Sequence, residues 1–323
     1  MNLDEIGFYT LGEERVKRAG PNSRLSRCEL VLTSKCNFRC PYCRHIGGTN
    51  MKFDAATKII SILSDQQLRN IRFSGGEPTL YPRLTELVRL SKNMRIKRIA
   101  ISTNGSAERS LYDQLLLAGA NDFSISLDAC CSQQGDAIAG VSGSWEKVVN
   151  NIRWLAMRTY VTVGTVLTKD NIGSLNQIVS FADMLGIADI RIIPAAQEKD
   201  IWPKFEIKDQ ILQKYPILRY RINNLKNARP FRGLTDKDSK QCGLVLDDMA
   251  VSHGKHYPCI IYMRESGKNI GHFDKHMRAD RFMWWYQINT HKDPICKNNC
   301  LDVCVDYNNK YEAYHGMVQR SEF

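Results

Sequence analysis

Three cysteines, Cys36, Cys40 and Cys43, crowd into the stretch TSKCNFRCPYCRH at residues 33–45. A disulfide needs two thiols and a structural zinc site usually wants four ligands, so three is the number to explain. A cubane iron–sulfur cluster has four irons that each take one protein ligand. A Cys-x3-Cys-x2-Cys loop would leave one of those irons open to a small chelating molecule. Zinc is the plainer alternative.

A second group lies toward the other end of the chain. Cys242, Gly254 and Cys259 form Cys-x11-Gly-x4-Cys, and Cys296, Cys300 and Cys304 follow in CKNNCLDVC. The chain has 11 cysteines, an odd number, and most of them sit in these two groups. In a reducing compartment that clustering points to metal or redox chemistry and away from a disulfide framework. If residues 296–304 form one helix, Cys296 and Cys304 stand about 12 Å apart at 1.5 Å rise per residue, too far to share a small cluster. The expected ligands are therefore Cys242, Cys259, Cys296 and Cys300, with Cys304 as the substitute. A structural zinc site is again the alternative.

Polar residues recur between the two groups at the ends of β-branched runs. FSGGEPTL carries Gly75 and Gly76, which allow close approach of backbone to a ligand, and Glu77, which suits a cationic amine. ISTNG holds Ser102 and Asn104, and ISLDA holds Ser126 and Asp128, groups that suit hydroxyls and a carboxylate. Arg191 in DIRIIPA either pairs with a carboxylate at the same place or faces solvent from an edge strand.

These residues need elements that bring them to one mouth. ELVLTS (29–34), NIRFSG (70–75), RIAIST (98–103), DFSISLD (122–128), VTVGTVLT (161–168) and DIRIIPA (189–195) read as six strands. The segments between them repeat apolar residues at i, i+3 and i+4, the pattern of amphipathic helices. Asp54 and Ser144 are expected N-caps, and Gly119 and Gly186 expected C-terminal stops. Alternating strands and helices imply right-handed βαβ units and a parallel sheet. The fold class is α/β: a partial (β/α)6 barrel with its active site at the C-terminal ends of the strands, and a small C-terminal α+β cluster-binding domain. The divisions are an N-terminal extension at 1–28, the barrel at 29–197, connecting helices at 198–240, the cluster domain at 241–310 and a tail at 311–323.

The motif CNFRCPYC, followed in order by GGE and the polar strand ends, resembles the radical S-adenosylmethionine superfamily. The resemblance implies a 4Fe–4S cluster on Cys36, Cys40 and Cys43, with S-adenosylmethionine chelating the open iron. It implies that Tyr42, Gly75, Gly76, Glu77, Ser102, Asn104, Ser126, Asp128 and Arg191 bind that cosubstrate, with Tyr42 near the adenine. Gly164 is similar to the fifth-strand glycine that lines the adenine in the family, or else marks a bulge. The spacing of Cys242 and Cys259 resembles the SPASM/twitch extension, which implies a second 4Fe–4S cluster. Cys130 and Cys131 are candidate hydrogen-atom donors to a substrate radical, or small buried hydrophobes.

The implied activity is reductive cleavage of S-adenosylmethionine to a 5′-deoxyadenosyl radical, with reduced ferredoxin or flavodoxin as electron donor. The motif order is most similar to the branch that includes the molybdenum-cofactor GTP cyclase and twitch dehydrogenases. The C-terminal MVQRSEF in place of a diglycine, and four auxiliary cysteines in place of three, depart from the cyclase. A net charge of +11 and a pI of about 9.1 favour an anionic partner. A small anionic substrate is the first expectation, undergoing dehydrogenation or rearrangement. A peptide that is crosslinked or given a thioether is the second, although 28 N-terminal residues are few for a leader-binding domain. The opening MNLDEIGFYTLGEE lacks the pattern of a signal peptide, and no apolar run approaches the ~20 residues of a membrane helix, so the expected compartment is the cytoplasm.

Overall fold

The computed structural model describes residues 12–44, 48–198 and 206–316. The expectations placed on residues 1–11, on 199–205 of the connecting segment and on 317–323 of the tail lie outside the described residues. Six β-branched runs form β1 (Arg27–Thr33), β2 (Asn70–Gly75), β3 (Arg98–Thr103), β4 (Asp122–Ser126), β5 (Tyr160–Leu167) and β6 (Asp189–Pro194). Ahead of them stands α1 (Glu13–Arg18). The crossovers carry α2 (Phe53–Asp65), α3 (Leu84–Asn93), α4 (Arg109–Ala118), α5 (Ser132–Ala139), α6 (Ser144–Ala156) and α7 (Leu175–Asp183). Neighbouring strands pair in parallel from β1 to β6.

Alternate residues of each strand face opposite sides. One set, including Leu30, Phe73, Ile101, Phe123, Val163 and Ile190, is buried against the apolar faces of the helices. The other set is Glu29, Arg72, Ser102, Ser124, Ser126 and Arg191, which line the concave side. A closed (β/α) barrel fills its interior with layers of Val, Ile and Leu. Here small polar and charged residues stand in those layers, so the partial barrel encloses a lumen.

The helix boundaries differ from expectation in one respect. Asp54 lies in the first turn of α2, whose cap is Lys52, and Ser144 is the first residue of α6, whose cap is Gly143. The start of α6 is capped from outside: Asp136 accepts from Gly143 N at 2.6 Å and from Trp145 N at 2.8 Å. Gly119 ends α4 in the left-handed region at φ 115°, as expected of a glycine stop.

After β6 come α8 (Asp209–Lys214) and α9 (Pro216–Lys226), then β7 (Asp248–Ser252) and β8 (Lys255–Tyr257). These two strands form a hairpin, turning at His253 and Gly254, whose φ values of 48° and 73° suit a two-residue turn. The chain continues through α10 (Ile260–Arg264), β9 (Gly271–His272), α11 (Met277–Gln287), α12 (Pro294–Asn299) and α13 (Asp302–His315).

The C-terminal hairpin does not stand apart from the barrel. Strand β7 pairs in parallel with β1, Cys28 opposite Met249 and Leu30 opposite Val251. Among the described residues one sheet therefore runs β6-β5-β4-β3-β2-β1-β7-β8-β9. A second, smaller core joins Val16, Leu244, Val245, Trp285, Tyr307 and Tyr311. Beside it the buried Arg15 of α1 pairs with Asp247 and Asp248.

Candidate active site

The cysteine loop leaves β1 at Thr33 and is clamped at its base. Ser34 N donates to Thr49 O at 2.9 Å, Thr49 N donates to Ser34 Oγ at 2.9 Å, and Met51 N donates to Leu32 O at 2.7 Å. Within the loop Cys43 N donates to Cys40 O at 3.0 Å, and Arg39 N reaches Ala139 O at 2.8 Å. Cys36, Cys40 and Cys43 all line one cavity of about 260 Å³. Burial raises the thiol pKa of Cys36 and pushes that of Cys40 up to about 11. Thiols in this state become ligands when a cation offsets the charge they would carry, which suits a metal cluster held through thiolates.

The strand-end residues meet at the same cavity, though not all with free polar groups. Tyr42, Gly75, Gly76, Ser102, Asn104, Ser126 and Asp128 line it. The phenol of Tyr42 donates to Asp128, whose other oxygen accepts from Val166 N at 2.6 Å. Burial lifts the Asp128 pKa to about 6. The side chain of Asn104 is engaged by Asn37 and Ser106 at 2.7–3.0 Å, so it orders the cysteine loop.

Gly75 and Gly76 are required by protein contacts. A Cβ on Gly75 would lie 2.1 Å from Thr33 O, and one on Gly76 would lie 2.3 Å from Lys35 O. Their lack of a side chain seats the end of β2 against the cysteine loop. Glu77 is fully buried and does not line the cavity. Its carboxylate accepts from Thr79 N and Oγ1 at 3.0 and 2.6 Å, Thr103 Oγ1 at 2.7 Å and Asn104 N at 2.6 Å. Its side chain thereby ties the end of β2 to the end of β3. Cys130 is half-buried and Cys131 exposed, and neither lines this cavity.

The C-terminal cysteines correct a second expectation. Residues 296–304 are not one helix: α12 ends at Asn299, Cys300 is extended (φ −57°, ψ 129°) and α13 starts at Asp302. Tertiary contacts fix the break. Leu301 bridges to Arg232, Gly233 N donates to Cys300 O at 2.9 Å, and the Asp302 carboxylate is held by Arg221 and by Asn224 at 2.7 Å. The helical separation that set Cys304 aside therefore does not apply. Cys242, Cys259, Cys296, Cys300 and Cys304 all line one cavity.

Burial raises all five thiols, Cys259 to about 12. For Cys300 the proximity of the other four adds to the rise. Thiols packed this closely lose their protons only beside a compensating cation, which is the donor chemistry of an iron–sulfur site. Among the described residues no three His, Cys, Asp or Glu side chains converge where a single metal ion would sit. The cysteines ring a space instead of a point.

The lumen lies between the two cysteine sites and encloses about 300 Å³. It shares Ser102, Ser126 and Arg264 with the first cavity and Cys259, Leu301 and Cys304 with the second. Arg191 and Gly164 face this lumen, not the cavity beside the cysteine loop. Gly164 lies in unbroken register between Ser126 and Arg191, so it marks no bulge. Sequence reasoning missed Arg27, Glu29, Arg72 and Arg264. The available signal was a polar residue at every second position of strands otherwise too apolar for solvent, as with Arg72 and Ser74 in NIRFSG.

A half-barrel with a three-cysteine loop after its first strand and a polar lumen defines a class of cluster-dependent enzymes. The sequence matches the Radical SAM superfamily over residues 30–182. It is 30% identical over 208 residues to a probable GTP 3′,8-cyclase of Methanococcus maripaludis, covering 58% of this chain and 68% of that one. It is 28% identical over 180 residues to the mycofactocin maturase MftC of Mycobacterium ulcerans, covering 53% and 48%. The chain belongs to the radical SAM superfamily. Its matches span from 32% to 68% of the length of these and similar curated relatives. The fold is that of Streptococcus suis SuiB bound to S-adenosylmethionine, with a TM-score of 0.60 at 16% identity over 85% of this chain and 67% of that one. It is also that of anSMEcpe with bound AdoMet, with a TM-score of 0.60 at 15% identity over 90% and 96%. Among the described residues no helix is long and apolar enough to cross a membrane.

Proposed function

We propose that the chain holds a 4Fe–4S cluster on Cys36, Cys40 and Cys43, binds S-adenosylmethionine beside it, and acts on a small anionic substrate in the lumen. The outcome is dehydrogenation or rearrangement of a nucleotide- or sugar-like molecule. A second 4Fe–4S cluster sits in the C-terminal cysteine ring, and reduced ferredoxin or flavodoxin donates electrons. The observation that carries this reading is the lumen's continuity with both cysteine cavities.

A cluster held by Cys36, Cys40 and Cys43 would supply one-electron reductive cleavage of S-adenosylmethionine, and with it hydrogen abstraction from the substrate. The chain's own part is orientation. Ser102 and Ser126 face both the cosubstrate cavity and the lumen, so they sit where the two reactants meet. Tyr42 and Asp128 brace each other across the cavity, and Glu77 with Asn104 holds the cysteine loop in place. A second reading, modification of a peptide, is favoured by the likeness to the maturase MftC.

Anaerobically reconstituted protein should carry about eight irons, and replacing Cys36, Cys40 and Cys43 with alanine should leave about four. With dithionite and S-adenosylmethionine the wild type should form 5′-deoxyadenosine, and the triple variant none. Cys242→Ala should lose the second cluster and product formation yet still cleave S-adenosylmethionine. Zinc without labile sulfide in the reconstituted wild type would sink the reading.

A further inference from the structure

The lumen is built with more positive than negative charge. Five arginines, Arg27, Arg72, Arg191, Arg221 and Arg264, line it against two acids, Glu29 and Asp248. Most of that charge is matched by carboxylates in the surrounding wall. Arg27 pairs with Glu29 and Asp248, each at 3.0 Å, and Arg264 with Glu29 at 3.5 Å. Arg72 lies 3.7 Å from Asp122, and Arg221 is held by Asp302. Arg191 is the exception. Among the described residues it has no carboxylate within ion-pair distance, and its Nη2 donates to Thr162 Oγ1 at 3.1 Å. Its Nε is buried and has no hydrogen-bond partner.

An unmatched guanidinium inside a protein is costly, because burial disfavours the charged form. Burial and the neighbouring Arg72 pull the Arg191 pKa down to about 10 against the more distant charge of Asp122, so the site carries a cation with no carboxylate in direct contact. The phenol of Tyr160, two positions before Thr162 on the same side of β5, is likewise buried without a hydrogen-bond partner. The space above is kept clear. Gly164 stands directly opposite Arg191 in the β5–β6 register, and a Cβ there would find its nearest neighbour at 4.0 Å. Glycine at this position therefore answers to no backbone need, and what it leaves is room beside the guanidinium.

We propose that Arg191 is the seat for an anionic group of the substrate, a phosphate or a carboxylate, bound inside the half-barrel with Gly164 opposite and Arg72 nearby. This rests on the lumen being the substrate site. It moves Arg191 from the cosubstrate, whose cavity it does not line, to the substrate. A planar guanidinium meets either anion through paired N–H donors, so both share one chemistry, and the test must separate them.

Isothermal titration calorimetry on the reconstituted enzyme with S-adenosylmethionine bound supplies that test, with inorganic pyrophosphate in one arm and malonate in the other. The wild type should bind at least one of them, and the arm that binds names the class. Arg191→Met should weaken that binding about tenfold or more, whereas Arg191→Lys should retain part of it. Methionine fills a similar volume and removes a buried charge, so the variant is expected to fold. Arg153→Met, which removes an exposed cation from α6, controls for net charge and should bind as the wild type does.

Binding that is equal in Arg191→Met and wild type overturns the proposal, as does a wild type that binds neither anion at millimolar concentration. Loss of S-adenosylmethionine affinity in Arg191→Met also overturns it, by returning the arginine to the cosubstrate. Formation of 5′-deoxyadenosine by the same wild-type preparation separates the two readings. With it, absent anion binding defeats this proposal alone; without it, the radical-enzyme reading itself fails.

Discussion

Four donors converge on Glu77, and the Thr103 hydroxyl among them also lies 3.4 Å from the Tyr112 phenol. Glu77→Ala would strand the N–H of Thr79, the N–H of Asn104 and the Thr79 hydroxyl, and leave the Thr103 hydroxyl to Tyr112 alone. The expected loss is on the order of 3–5 kcal/mol, the scale for leaving a buried network unpaired. Denaturant unfolding of the cluster-free chain reads this directly, and a variant as stable as the wild type would show that the carboxylate is no structural tie. Burial raises the Glu77 pKa while its four hydrogen bonds lower it, so the residue is held in a balance set by its donors. Residue type and motif position pointed correctly to a carboxylate beside the cysteine loop. They did not show what it contacts, because the donors come from the 3-10 turn at Pro78–Leu80 and from the end of β3, which only the fold brings together.

At the scale of elements, Asp189 begins β6 and also caps the start of α9. Its Oδ2 accepts from Ile217 N at 3.1 Å, one residue after the Pro216 that opens the helix. Burial raises its pKa from 3.8 to about 6. A carboxyl that is a weaker acid in the folded chain makes the folded state hold more protons than the unfolded one across that interval. Stability should then fall as pH rises from about 4 to about 6, by on the order of 3 kcal/mol. Asp189→Asn retains an oxygen acceptor for α9 and removes the titration, so its stability should stay flatter over the same interval. Parallel denaturation profiles for the two proteins would disprove this. The strands themselves were legible within about two residues, because short β-branched runs separated by amphipathic stretches leave few alternatives. Capping was not: Asp136 reaches α6 from within α5, and Asp189 reaches α9 from a strand. Local rules see neither, since both caps lie outside the helix's own sequence. The break at Cys300 was hidden for a related reason, as no Gly or Pro marks it and Arg232 and Arg221 hold it open from elsewhere.

For the molecule as a whole, the join between barrel and C-terminal region is the β1–β7 pair, which no local pattern in the sequence announces. Arg27 contacts Asp248 across 221 residues of chain. A chain ending at residue 240 would retain the family loop and six strands, yet its β1 would present a row of unpaired N–H and C=O groups. Such a fragment should self-associate in size-exclusion chromatography; a well-behaved monomer would show that β7 is dispensable.

That same pairing sets a timetable for synthesis. Strand β1 leaves the ribosome well before its second neighbour, which is made only after more than two hundred further residues. At about 5–20 residues per second, the nascent sheet waits on the order of ten seconds or more with an open edge beside the three thiols of the cysteine loop. The growing chain is most vulnerable to misassembly and oxidation then, and cluster loading is best timed after the hairpin has closed that edge.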